Sequence, residues 1–398
     1  MAANLISHVK PASRANSHRR RVGLIMLAFA AGLATVWSLG KAPYVGERIG
    51  APQAIAGENA SSTGIVFPGD ARINWVPLPT GLVSNVVADG NHAWVGVVEE
   101  IGAEGVPNSQ LLRIDSDGTT SILARFTGRP TRVSVNADEV VVAAGLELLW
   151  FDRATGRQLA RVSVASVAGE ARFVSSLVAG QRSAFVALDG QSTVLEVSAT
   201  DGVRVVANVG SIIPTPETLV LLGGMESLIA STPFGNVGGA EPGTVRIDIA
   251  SGEVERIELG RPFSFAVTTD GALVTTQSVP RGGLKVMSPD DRASWELPSG
   301  IPWNGQWDLL TTDGRTTWGA VAGSGRLFRE VQGVVEPLEL PRFSAIPSLP
   351  RGTVLSELEN EQLKSLPTEV SSLAGFEDGG VVAVTSGAGS RLAIVGSN

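Results

Sequence analysis

The sequence predicts an all-β protein, a seven-bladed β-propeller carried behind one N-terminal transmembrane (signal-anchor) helix. Three observations carry the prediction. Short apolar runs separated by tight turns recur to the C-terminus, one phrase of the repeat returns at steps of 37, 46, 50, 40 and 41 residues, and the last unit runs out of chain one strand early. A period near the forties with four strands per unit is the pattern of propeller blades.

Residues 1–21 are polar, hold no acidic residue and end in Arg19, Arg20 and Arg21. Residues 22–40 are uncharged; as a helix they span about 28 Å, close to the hydrocarbon core of a bilayer. The basic flank predicts a cytoplasmic leader with the body on the far side of the membrane. A signal cleaved after small residues such as Ala28 and Ala30 is the alternative, which leaves the body secreted. Either way it lies outside the cytoplasm. Residues 41–70, rich in Gly, Ala, Ser and Pro, read as a flexible tether.

The propeller is expected over 71–398. First hairpin turns fall at Asp89-Gly90, Ala137-Asp138, Ala179-Gly180, Gly223-Gly224, Asp270-Gly271, Asp313-Gly314 and Asp378-Gly379, each followed by an apolar run. The third strands end at Asp115, Asp152, Ser198, Asp248, Ser288 and Arg329. There are thus seven first turns for six such phrases, and the seventh unit stops just after residues 391–395. Residues 72–79 offer the missing outer strand, so the N-terminal strand is expected to close the ring and pair two open sheet edges. Within the long connection 342–369, Leu355, Leu358, Leu363 and Leu366 lie near helical spacing, and Ser356 with Glu359 fits a capping box. This predicts a helical insertion at 353–367, either a lid over the channel or a decoration on one blade.

Composition removes several functions. The chain has no Cys, which excludes disulfides, thiol nucleophiles and cysteine metal sites. Five of its 31 basic residues lie in the leader, leaving 26 against 39 acidic ones in the remainder. A body that acidic is repelled by phosphate backbones, so no nucleic-acid partner is expected. Four Lys against 27 Arg suggest a GC-rich bacterial source.

The segments Asp89-Gly90, Trp94-Val95 and Leu112-Arg113-Ile114-Asp115, with TrpPheAspArgAlaThrGlyArgGlnLeuAlaArgVal at 150–162, resemble repeats of the bacterial YVTN/NHL-type and streptogramin-lyase-like propellers over roughly 320 residues. The resemblance implies the fold, whereas members of such groups serve as enzymes, binders and scaffolds alike. It also implies, for a lyase, a His-bearing magnesium site. Here the His residues are His8, His18 and His92; two lie in the leader, and His92 follows a turn expected on the face opposite the long loops.

The face bearing the long loops, 99–110 and 232–244, is where a ligand is expected. Arg129, Arg132, Arg172, Arg261 and Arg342 start or precede innermost strands there, and Trp303 and Trp307 add flat faces. Such guanidinium groups bind carboxylate or phosphate in bidentate fashion; the structural alternative pairs each with an acidic residue of the next blade. Asn85, Glu217 and Asp308 lie on or near innermost strands and form an oxygen-only candidate metal site for calcium or magnesium. The favoured function is a non-enzymatic binding or scaffold module, without cofactor, for a protein or cell-envelope glycan. The alternative is a metal-dependent lyase or lactonase-like hydrolase using the channel.

Overall fold

The computed structural model describes residues 71–78, 83–102, 105–213, 219–223, 226–232 and 243–257, and beyond them the strands to residue 397 with their adjoining turn at 376–380 and residue 340. The chain divides into two compact units, Met1–Ala60 and Ser61–Asn398, and every described residue belongs to the second. The expected leader, membrane segment 22–40 and helical insertion 353–367 lie outside the described residues. Among the described residues no helix is long and apolar enough to cross a membrane.

Strand β1 (Ala71–Pro77) precedes the first complete sheet, β2 (Val83–Asp89), β3 (His92–Ile101), β4 (Pro107–Asp115) and β5 (Thr120–Thr127), called blade 1. Blade 2 is β6 (Pro130–Val135), β7 (Glu139–Ala144), β8 (Glu147–Asp152) and β9 (Gln158–Ser163). Blade 3 is β10 (Val174–Ala179), β11 (Ser183–Leu188), β12 (Thr193–Ser198) and β13 (Gly202–Asn208). Blade 4 is β14 (Val220–Gly223), β15 (Ser227–Ser231), β16 (Thr244–Asp248) and β17 (Val254–Arg256). Blade 5 is β18 (Pro262–Val267), β19 (Leu273–Gln277), β20 (Gly283–Met287) and β21 (Ser294–Glu296). Blade 6 is β22 (Leu309–Thr312), β23 (Thr316–Ala320), β24 (Arg326–Val331) and β25 (Val334–Glu339). Blade 7 is β26 (Glu369–Gly375), β27 (Val381–Ser386) and β28 (Arg391–Ser397), with β1 as its fourth strand.

These seven antiparallel sheets form a ring, because each innermost strand packs against the next, β2 on β6 and so on round to β26 on β2. The closing pair runs antiparallel from Ala71 opposite Ser397 to Pro77 opposite Arg391. An outer strand from one end of the chain thus completes a sheet begun by the other.

Strand burial follows from this arrangement. Middle strands are covered on both faces by neighbouring blades, so β7 (GluValValValAlaAla) and β11 (SerAlaPheValAlaLeu) read as apolar runs rather than alternating ones. The outer strand β9 has no fully buried residue; Ala160 and Val162 are half-buried against the core between blades 2 and 3, and the other residues of the strand are exposed. The core is accordingly distributed between blades. Trp94, Leu111 and Phe126 of blade 1 meet Val133, Val142 and Phe151 of blade 2, while Val76, Phe376, Leu392 and Ile394 of blade 7 meet Val86, Val95 and Ile114 of blade 1.

The turns between third and fourth strands are built by an acidic side chain folding back on its own loop. Thr155 donates to Asp152 Oδ1 from its hydroxyl and its amide at 2.6 and 2.7 Å, and Ser251 does the same for Asp248 at 2.6 Å from each group. Those bonds, the hydroxyl's foremost, hold both carboxyls below the ordinary aspartate value. The turn in blade 2 also presses Gly156, at φ 71°, against the Leu123 carbonyl of blade 1. Gly252 of blade 4 approaches Val206 of blade 3 in the same way.

One expectation is corrected within the described residues. The segment 99–110 is mostly sheet, because β3 runs to Ile101 and β4 starts at Pro107, with Glu100 opposite Asn108 and Ile101 opposite Pro107. The ladder continues past the bulge between Val98 and Glu100, since β5 extends alongside as far as Thr127 opposite Asn108. The result is a hairpin projecting from blade 1.

Candidate binding site at the channel mouth

Each innermost strand starts at the channel mouth; five of them start with a register shift, and in four of these a hydroxyl residue follows the first position. A bulge follows Val83, Pro130, Val174 and Val370, so a residue with a hydroxyl, namely Ser84, Thr131, Ser175 or Ser371, stands out of register. Ser84 accepts from Gly96 N at 2.9 Å, while Thr131 and Ser175 donate to Ala143 O and Ala187 O at 3.2 Å each. Local side-chain bonding thus stabilises a kink that regular pairing would not produce.

Polar side chains on these strands then reach across to the next blade. Asn85 accepts from Val133 N at 2.7 Å and donates to Val133 O at 3.1 Å. Ser134 accepts from Ala179 N, Ser176 from Leu221 N and Thr311 from Gly375 N, each at 2.9 Å, and Ser372 accepts from Val86 N at 3.0 Å. The inward edge of an innermost strand has no neighbouring strand to satisfy its amides, and these bonds do so. They all run in one direction, with the side chain on one blade and the amide on the blade that follows. Ser134→Ala and Ser176→Ala are each expected to lower stability by about 1–3 kcal/mol, since each strands a partly or fully buried N–H. Urea denaturation checks this; midpoints unchanged from the parent would refute the role.

Sequence reasoning missed this ring of contacts, although a signal was present. ValSerAsnVal at 83–86 and ValSerSerLeu at 174–177 and 370–373 are one recurring phrase. Hydrophobic spacing reads these stretches as apolar runs and does not register the interspersed hydroxyls.

Arg132 occupies the position that Asn85, Ser176 and Ser372 hold in their own strands. Its Nε donates to Ser175 O of blade 3 at 2.7 Å and its Nη1 to Thr131 O at 3.0 Å. Burial pulls the pKa of Arg132 below the ordinary arginine value, and that of Arg129 likewise. Arg172 is exposed on the connection into blade 3. It lies near Asp189, whose carboxyl is raised chiefly by burial, with the Arg172 charge acting in the opposite sense. Three of the five arginines expected at the mouth are therefore placed on blades 2 and 3. Arg261, Arg342, Trp303 and Trp307 lie outside the described residues, as do Glu217 and Asp308. Of the candidate metal ligands only Asn85 is described, and its amide is engaged with Val133 through both oxygen and nitrogen. Among the described residues no group of three or more His, Asp or Glu side chains is placed to hold a metal ion.

His92 sits where expected, at the turn end of blade 1 away from the mouth, and its side chain is 41% exposed. Its Nδ1 lies 2.7 Å from Asp115 Oδ1, and its ring meets the edge of Trp94 at 6.1 Å between centroids. On the same end Arg153 of blade 2 stacks on Trp94 at 4.7 Å from the ring centroid and pairs with Asp89. That contact is an interblade clamp, which explains why a cation from blade 2 lies over blade 1.

The comparisons with known proteins bear on the fold. No family model matches the chain, and no curated protein matches it. Among solved structures, a streptogramin B lyase superposes with a TM-score of 0.56 at 12% identity, covering 83% of this chain and 98% of that one. The chain shares the β-propeller fold of that lyase. The β-propeller domain of Cps50 (Swd1) from Myceliophteria thermophila matches at a TM-score of 0.52 and 12% identity, covering 83% of this chain and all of that domain. A virginiamycin B lyase from Staphylococcus aureus matches at 0.50 and 11%, covering 82% and 99%. At such identities the likeness is one of fold. A shared fold does not fix function, which rests on the residues of the site.

Proposed function

We propose that this propeller is a membrane-displayed, extracytoplasmic binding or scaffold module without enzymatic activity, whose loop-bearing face engages a protein or cell-envelope glycan. The observation carrying this reading is the hydrogen bonding of the innermost strands. Among the described residues Asn85, Ser134, Ser176, Thr311 and Ser372 tie neighbouring blades together at five of the seven junctions, which favours a rigid disc presenting a fixed face. A metal at Asn85 would have to compete with two hydrogen bonds that hold blade 2 on blade 1. The basic flank before residues 22–40 supports display on the far side of the membrane.

The test is cell-surface crosslinking of the full-length protein. Replacing Arg129, Arg261 and Arg342 together with Ala is expected to reduce partner capture at least tenfold, while Ala at Glu217 and Asp308 leaves it unchanged. The reverse pattern, accompanied by a rise in Tm with Ca²⁺ or Mg²⁺ that Glu217→Ala removes, would move the function to metal chemistry in the channel.

A further inference from the structure

We propose that Arg132 anchors a carboxylate-binding site at the mouth between blades 2 and 3, an inference that rests on the binding reading above and names the chemistry it uses. The starting point is the mismatch between Arg132 and its structural task. At the equivalent position in their strands, Asn85, Ser176 and Ser372 reach the next blade with short neutral side chains. Arg132 performs the same bridging with Nε alone, on Ser175 O. A charge is not needed for that bond.

A guanidinium carries five N–H donors. Two of them go to Ser175 O and Thr131 O, which leaves three for an acceptor. Arginines engaged in ion pairs elsewhere in the propeller differ. Arg113, Arg125, Arg153, Arg161 and Arg204 each lie within ion-pair distance of a carboxylate, whereas among the described residues Arg132 has only neutral carbonyl partners. Its positive charge is thus partly withdrawn from water and uncompensated, and burial lowers its pKa accordingly. An incoming anion supplies the missing counter-charge. The two main-chain bonds hold the planar group in place beforehand, so little freedom is lost when a ligand docks.

A carboxylate fits better than a phosphate. One surplus positive charge matches a monoanion, whereas a phosphate dianion would bring a second negative charge that the described residues around Arg132 do not compensate. The carboxylate can arrive as a free small acid or on a sugar.

Binding of acetate, glucuronate, glucose and inorganic phosphate to the full-length chain, measured by calorimetry or by NMR shifts, tests this. Acetate or glucuronate is expected to bind at millimolar concentration, glucose not to bind, and phosphate to bind more weakly than either carboxylate. Arg132→Gln is expected to weaken the carboxylate at least tenfold, and Arg132→Lys to an intermediate extent, because it keeps the charge and loses the fork. Arg161→Gln, which removes the same charge from an exposed ion pair with Glu147, should leave binding unchanged. Melting curves of each variant establish that the ring is intact. Tighter glucuronate than acetate assigns the site to a sugar acid, and equal affinity assigns it to a free carboxylate. Absence of carboxylate binding, equal affinity in Arg132→Gln, or preference for phosphate would overturn the inference. The crosslinking test above is read independently, so a propeller that captures its partner yet ignores carboxylates would sink this inference alone.

Discussion

Removing residues 71–78 is expected to abolish the cooperative thermal transition of the whole propeller, although the deletion takes one of the twenty-eight described strands. Strand β1 pairs with β28 along its full length, from Ala71 to Pro77, so its loss opens a sheet edge in blade 7. Its side chains also serve two different cores. Val76 and Leu78 belong to the cluster between blades 7 and 1, and Ile73 to the cluster between blades 6 and 7. Burying three such side chains contributes about 5–9 kcal/mol, at 1.5–3 for each. That is the size of a typical domain's entire net stability, about 5–15 kcal/mol. Circular dichroism melts provide the measurement. A deletion variant with the parent's sharp transition would mean that the ring stands without its closing strand. Ile73→Ala, expected to cost about 2–5 kcal/mol, offers a graded version that still folds.

Gly156→Ala is expected to be the most damaging single methyl addition in the described turns. A Cβ there would lie 1.8 Å from the Leu123 carbonyl oxygen, and the residue holds φ at 71°. The left-handed conformation costs a residue with a side chain about 1–2 kcal/mol. Separating the overlapping atoms means moving the blade 2 turn off the outer strand of blade 1, which brings the expected loss above about 3 kcal/mol. Gly145→Ala separates the two contributions, since Gly145 has φ 67° and nothing within 4 Å of a built Cβ. Its expected loss is the conformational part alone, about 1–2 kcal/mol. Equal urea midpoints for the two variants would show that the contact with Leu123 carries no weight.

The contrast between these two glycines marks how far a sequence can be read. Both stand in tight turns, and turn chemistry alone places each of them. Nothing local reveals that one presses on a neighbouring blade, because its partner, Leu123, is 33 positions away in the chain and belongs to another repeat. The same limit applies to the mouth. Arg132 was recognisable as a candidate by its place before an apolar run. Its lack of a carboxylate partner depended on what the blade 3 strand brings alongside, which is the Ser175 carbonyl. Asn85 was legible as a polar residue on an innermost strand, and only the packing of β2 against β6 shows that its amide bonds Val133 of the next blade.

By itself the sequence determined the repeat: apolar runs of strand length, the turns between them, the period, and an outer strand missing at the C-terminus with its complement at the N-terminus. Those features are local or periodic, and backbone propensity and hydrophobic spacing act at that range. The tertiary structure decided which polar groups face one another across blades. It set the one-directional chain of side-chain bonds around the channel, the extension of the β3–β4 hairpin past its expected loop, and the uncompensated charge of Arg132. Each of these joins residues roughly one repeat or more apart, or depends on a register that shifts by one residue at a bulge, and a hydrophobic pattern specifies neither.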